Sequence, residues 1–217
     1  MIRAVVFDLD GLIFNTEDVF ELATERFLGP LGFQYHQEVR RQMMGQQADV
    51  SIKILKEYYG LSPSTEEIRS KIEREFRAVL PDVLALMPGF DTLISKIVTE
   101  GIPAAICTSS STEYAKSLLA EFGYLDAFSF VLGGESVERG KPAPDCYLMA
   151  CRMLGLPVTD VMVLEDSENG CRAAIDAGTF AVAVPSRHTV GHEYAGAAVV
   201  ANTLQDPAIY EALGISK

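Results

Sequence analysis

The chain has 217 residues, enough for a full core domain and a small accessory one, and 48% of them are hydrophobic, the share of an ordinary globular protein. A formal net charge of −12, with no basic cluster, argues against nucleic-acid binding. No apolar run of about eighteen residues occurs, and no basic segment followed by an apolar one opens the chain, so the expectation is a cytoplasmic protein away from membranes; a monomer is the further expectation.

The apolar run Ala4-Val5-Val6-Phe7 predicts a buried strand that ends on Asp8-Leu9-Asp10-Gly11. Ligands in open α/β sheets bind outside the carboxyl ends of strands. Two carboxylates two positions apart in that place suit a nucleophile and a proton carrier, and Gly11 allows a sharp turn. From Thr16 to about Leu84 the period is helical. Val19, Leu22, Ala23 and Phe27 fall on one face, Ile52, Leu55 and Tyr59 on another, and Ile68, Ile72 and Phe76 on a third. Ser64 with Glu67 has the form of a capping box. This stretch reads as an insert of about four packed helices.

After Met87-Pro88-Gly89 helices and strands alternate. Helices are expected near 91–99, 112–121, after Pro144 and near 169–177, and strands near 103–107, 130–132, 161–164, 181–184 and 198–200. Such alternation implies βαβ units and a parallel sheet. The fold class is therefore α/β, a Rossmann-like parallel core of residues 1–15 and 85–217 with a small helical-bundle cap at 16–84. Cys107, Cys146, Cys151 and Cys171 show no C-x-x-C spacing and read as buried free thiols.

Three later segments also stand at strand ends or in stiff loops. Thr108-Ser109-Ser110 places hydroxyls before a helix start, an arrangement that serves either an N-cap or an anion site. Gly140-Lys141-Pro142-Ala143-Pro144 presents a lysine from a restricted loop, whereas most surface lysines are only solvated charges. Leu164-Glu165-Asp166-Ser167 sets two carboxylates side by side; with Asp8 and Asp10 they form an oxygen-rich site suited to Mg²⁺, although alone they would read as a solvated turn. His188 and His192 stand four apart beside Gly191 and read as loop residues rather than zinc ligands.

In this order the four segments resemble the haloacid dehalogenase superfamily, in its capped branch that includes β-phosphoglucomutase and pseudouridine 5′-phosphatase. Asp8-Leu9-Asp10-Gly11 with Asn15-Thr16-Glu17 matches the first motif and Thr108-Ser109 the second. Lys141-Pro142 matches the third, and Glu165 to Gly170 the fourth. The resemblance implies a phosphatase acting on a small phosphate ester, with Asp8 as nucleophile, Asp10 as acid and base, and Thr108 and Lys141 on the phosphoryl oxygens. It further implies Mg²⁺ as cofactor, held by Asp8, the Asp10 carbonyl and Asp166, with Glu165 as a ligand through water or as an orienting group. Ser109, Gly45, Gln46 and Gln47 are the expected substrate-binding residues. Asn15 departs from the pattern, which has Asp at this hinge position. The segment from Gly45 to Ser51 resembles the mutase's specificity loop, but Ala48 and Phe20 stand where the mutase has arginine and histidine, which favours hydrolysis over phosphoryl migration. A non-catalytic phosphate binder on the same scaffold is the alternative of another class, and it is disfavoured by the retained acidic residues.

Overall fold

A computed structural model describes residues 1–43 and 48–216. Gly45, Gln46 and Gln47 lie outside the described residues. The chain divides into two compact units, Met1–Phe14 with Leu86–Lys217, and Asn15–Ala85.

The first unit is a six-stranded parallel sheet with helices in its crossovers. Its strands are β1 (Ala4–Phe7), β2 (Ala104–Cys107), β3 (Val131–Leu132), β4 (Val161–Glu165), β5 (Phe180–Ala183) and β6 (Val199–Val200). Their spatial order is β3-β2-β1-β4-β5-β6, and every pairing is parallel. The chain builds outward from β1 in one direction and then, from β4, in the other. The strand order therefore reverses at β1, the place where open α/β sheets form a ligand crevice. β1, β2 and β4 are buried along their whole length, as continuous apolar runs in a sheet covered on both faces require. Phe7 lies opposite both Ile106 and Leu164, so Asp8, just past β1, comes level with Cys107 and Glu165, the last residues of β2 and β4.

The second unit holds α1 (Thr16–Leu28), α2 (Gln37–Met43), α3 (Ala48–Tyr59) and α4 (Thr65–Val83). Val19, Ala23, Phe27, Ile52, Leu55, Ile68 and Ile72 form its buried core, with Leu22, Tyr59 and Phe76 half-buried against it. These are the expected apolar faces. The capping box is formed: the Glu67 N–H donates to Ser64 Oγ at 3.2 Å and the Ser64 N–H to Glu67 Oε2 at 2.8 Å. Asn15 does not cap α1 with its side chain. Its amide ties down the departing chain instead, with Nδ2 donating to the Val83 carbonyl at 3.1 Å and Oδ1 accepting from the Ala85 N–H at 2.6 Å.

The remaining helices of the first unit are α5 (Phe90–Thr99), α6 (Thr112–Glu121), α7 (Asp145–Leu154), α8 (Glu168–Asp176) and α9 (Pro207–Leu213). Helix α7 and helix α8 pack Cys146, Tyr147, Ala150, Cys151, Ala173 and Ala174 against Val6, Ala105, Val161 and Val163 of the sheet. All four cysteines are buried and free. Among the described residues, no helix is long and apolar enough to cross a membrane.

Candidate active site

Asp8 is buried at the tip of β1, and its N–H continues the ladder to the Leu164 carbonyl at 3.0 Å. Lys141 reaches it from the loop before α7. The Lys141 ammonium donates to Asp8 Oδ1 at 2.5 Å, to Glu165 Oε1 at 2.7 Å and to the Cys107 carbonyl at 2.9 Å. Burial alone would push the ammonium toward its neutral form. The Asp8 and Glu165 carboxylates outweigh that and hold its pKa well above the ordinary lysine value. The loop that presents it is closed by Arg139, whose guanidinium makes a two-pronged pair with Asp145 at 3.1 and 2.9 Å.

Asp10 is held separately. Its Oδ2 accepts from Ser110 Oγ at 2.7 Å and from Thr108 Oγ1 at 3.1 Å. The cap of α6 is Ser111, whose hydroxyl accepts from the Tyr114 N–H. Thr108 and Ser110 are thus not needed as caps, and their hydroxyls turn to Asp10. Ser109, the expected substrate contact, is exposed between them. The sequence singles out the Thr108-Ser109-Ser110 run but not the contact of Ser110 with Asp10, because nothing in a run of serines tells which one points inward.

The Asp8, Glu165 and Asp166 carboxylates are buried and offer oxygens within 4.8 Å of one another. Gly11, at φ 81°, approaches the Asp166 carboxylate so closely that a Cβ would collide with it. Ser186 and Thr189 direct hydroxyls at Asp166 Oδ2, at 3.4 and 3.5 Å, and the Tyr194 hydroxyl is 2.5 Å from the Asp166 carbonyl. Glu165 is more fully engaged. Its Oε1 accepts from Lys141 and from the buried Tyr147 hydroxyl at 2.6 Å, and its Oε2 from Ser167 Oγ at 3.1 Å and the Ser167 N–H at 3.3 Å. Hard oxygen donors carrying more negative charge than one ammonium neutralises fit a divalent cation such as Mg²⁺. Tyr147 escaped the sequence reading because its position on α7 reads as core. The signal was available, since a phenol buried on a helix needs a partner for its hydroxyl. His192 accepts the Glu168 N–H at its Nδ1, at the start of α8.

Comparison with known proteins gives the class, an enzyme that hydrolyses phosphoric monoesters, and the carboxylates and buried lysine gathered where the parallel sheet reverses its order fit it. The family model for haloacid dehalogenase-like hydrolases matches residues 5–184, and the chain belongs to that family. It is 36% identical to a probable pseudouridine-5′-phosphatase of Drosophila melanogaster over 83% of this chain and 80% of that one. It is 29% identical to a phosphorylated carbohydrates phosphatase of Thermotoga maritima, over 81% and 82% of the two chains. Among solved structures, a variant of CbbY from Rhodobacter sphaeroides in complex with xylulose-(1,5)bisphosphate superposes with a TM-score of 0.81 at 29% identity, over 94% of this chain and 95% of that chain.

Proposed function

We propose that the protein is a Mg²⁺-dependent phosphatase that hydrolyses a small phosphorylated metabolite, a sugar phosphate or a similar monophosphate, through an aspartyl-phosphate. The observation that carries this reading is the separate holding of two neighbouring carboxylates, Asp8 by Lys141 and Asp10 by Thr108 and Ser110. A nucleophile needs a fixed oxygen; burial raises the Asp8 carboxyl above the usual carboxylate range, and the Lys141 ammonium acts against that. An acid–base group needs to stay free of the ammonium that would lock it as a carboxylate.

In the first step an Asp8 oxygen bonds to phosphorus while the ester P–O bond breaks, and Asp10 gives its proton to the leaving oxygen. In the second step Asp10 takes a proton from water as the water oxygen bonds to phosphorus, releasing inorganic phosphate and restoring the Asp8 carboxylate. Lys141 and the Thr108 hydroxyl neutralise and orient the phosphoryl oxygens. Asp8, the Asp10 carbonyl and Asp166 would hold Mg²⁺, which when bound offsets the repulsion between carboxylate and phosphate. Glu165, with both oxygens engaged inside the protein, serves this reading better as the group that orients Lys141 than as a direct ligand. Gln46 and Gln47 remain proposed substrate contacts, and the names of the relatives support sugar and nucleoside phosphates as the classes to try first.

Release of phosphate from p-nitrophenyl phosphate tests the reading. Turnover should require Mg²⁺, cease in EDTA and return on re-addition of the metal. Asp8→Asn should abolish it while leaving the thermal melt intact, because the amide is isosteric but cannot act as an anionic nucleophile. Wild-type turnover by this variant, or full activity in chelator after dialysis, would overturn the mechanism.

A further inference from the structure

Tyr147 touches both members of the Glu165–Lys141 pair. Its hydroxyl donates to Glu165 Oε1 at 2.6 Å, and its ring lies under the Lys141 ammonium, 5.1 Å from the centroid. It is fully buried on α7, six positions after Lys141, and packs among Cys107, Ala150 and Val163. Ring and hydroxyl therefore act on opposite charges at once. The ring face attracts the cation, and the hydroxyl takes part of the hydrogen-bonding capacity of the same carboxylate oxygen that Lys141 uses.

We infer that Tyr147 is a positioning residue that keeps the Lys141 ammonium shared between Glu165 and Asp8. This rests on the phosphatase reading, in which Lys141 works beside Asp8. With the hydroxyl in place, Glu165 Oε1 is satisfied by two donors, and Lys141 is free to extend its shorter contact, 2.5 Å, to Asp8. Without it, Oε1 has Lys141 alone as a partner, and a buried carboxylate oxygen that has lost a donor draws in the one that remains. The ammonium then shifts toward Glu165 and away from the reacting oxygens. The ring, which keeps Lys141 from swinging aside, survives in phenylalanine and is lost in leucine.

The test compares Tyr147→Phe with the parent on p-nitrophenyl phosphate and Mg²⁺. The expected result is a fall in kcat of about tenfold or more, the scale of a misplaced catalytic group, with KM changed by less than about threefold. Calorimetric titration with Mg²⁺ alone should give nearly the parent affinity, because Asp8 and Asp166 are untouched. Tyr147→Leu should lose more activity than Tyr147→Phe. A readout independent of turnover is the thermal midpoint in a double-mutant cycle with Lys141→Met. The two changes should be non-additive, since both act on Glu165 Oε1, whereas a packing role would add. Parent-like kcat in Tyr147→Phe, additive midpoints, or Mg²⁺ affinity falling in step with kcat would each overturn the inference. If Tyr147→Phe does not fold, Tyr147→Leu carries the test, with the same loss of kcat at retained KM expected; unchanged kcat overturns the inference. Parent-like kcat in Lys141→Ala would remove the underlying use of that lysine; a large loss there beside an unaffected Tyr147→Phe would remove only the role of Tyr147.

Discussion

A Cβ built on Gly170 would fall on the Glu165 carboxylate, so the third residue of α8 has no room for any side chain while that carboxylate stays where Lys141 and Tyr147 hold it. Gly170→Ala should therefore do two things. It should cost roughly 2 kcal/mol, the scale of overpacking a closed site, and it should lower kcat about tenfold by displacing Glu165 from Lys141. Urea unfolding and phosphate release measure the two effects, and an alanine variant with parent-like values in both would show that Glu165 can move freely. Asn15 is constrained by hydrogen bonding instead of volume. It must donate to the Val83 carbonyl and accept from the Ala85 N–H, and its Nδ2 also lies 3.1 Å from Asp18 Oδ2. The aspartate of the family pattern would keep the acceptor, lose the donor and face a second carboxylate. Asn15→Asp should destabilise the protein by about 1–2 kcal/mol, read as a lower thermal midpoint.

Helix α4 begins on a reciprocal cap, and its energetics are local. Ser64→Ala removes the acceptor for the Glu67 N–H and should cost about 1 kcal/mol. Glu67 is exposed, and the Ser64 backbone and side-chain hydrogen bonds hold its carboxyl below the usual glutamate range. A carboxyl whose pKa falls on folding adds stability at pH values above its unfolded pKa and loses that contribution as pH drops through the folded one. The gap in stability between the parent and Glu67→Ala should therefore be present at neutral pH and shrink on acidification below pH about 4. Denaturant melts at several pH values would reveal a constant gap if the cap carried no charge-dependent part.

At the scale of the whole molecule, reaction type depends on whether the chain has a second cation to hold a doubly phosphorylated intermediate. Ala48 and Phe20 stand where the mutase has arginine and histidine, and a methyl group gives a phosphate no charged, two-pronged contact. Arg40 on α2 is paired with Glu21 and lies over the Tyr35 ring at 5.4 Å. The expected outcome is net hydrolysis. With glucose 1,6-bisphosphate as activator and β-glucose 1-phosphate as substrate, phosphate release should exceed formation of glucose 6-phosphate. Conversion outpacing release would assign the protein to mutase chemistry instead.

The alternation of apolar runs and helical periods by itself determined the α/β class, the helical insert and the strand ends that carry Asp8, Thr108 and Glu165, because burial on two faces demands continuous apolar strands and packing on one face demands a 3.6 period. The Gly140-Lys141-Pro142 setting gave Lys141 a better claim to a fixed role than a solvated lysine has, and the family resemblance supplied what that role is. Which hydroxyl of the Thr108–Ser111 run caps a helix and which turns to Asp10 is not a property of any one of them; it follows from where α6 starts relative to β2. The same holds for Tyr147, an ordinary core aromatic until α7 packs beside β4 and brings its hydroxyl to Glu165. Gly170 belongs with it, because the atom that excludes a side chain there comes from another element end. Local pattern settles what each segment becomes; contacts between residues distant in sequence arise only when the sheet is assembled, and they decide how the charges of the site are shared.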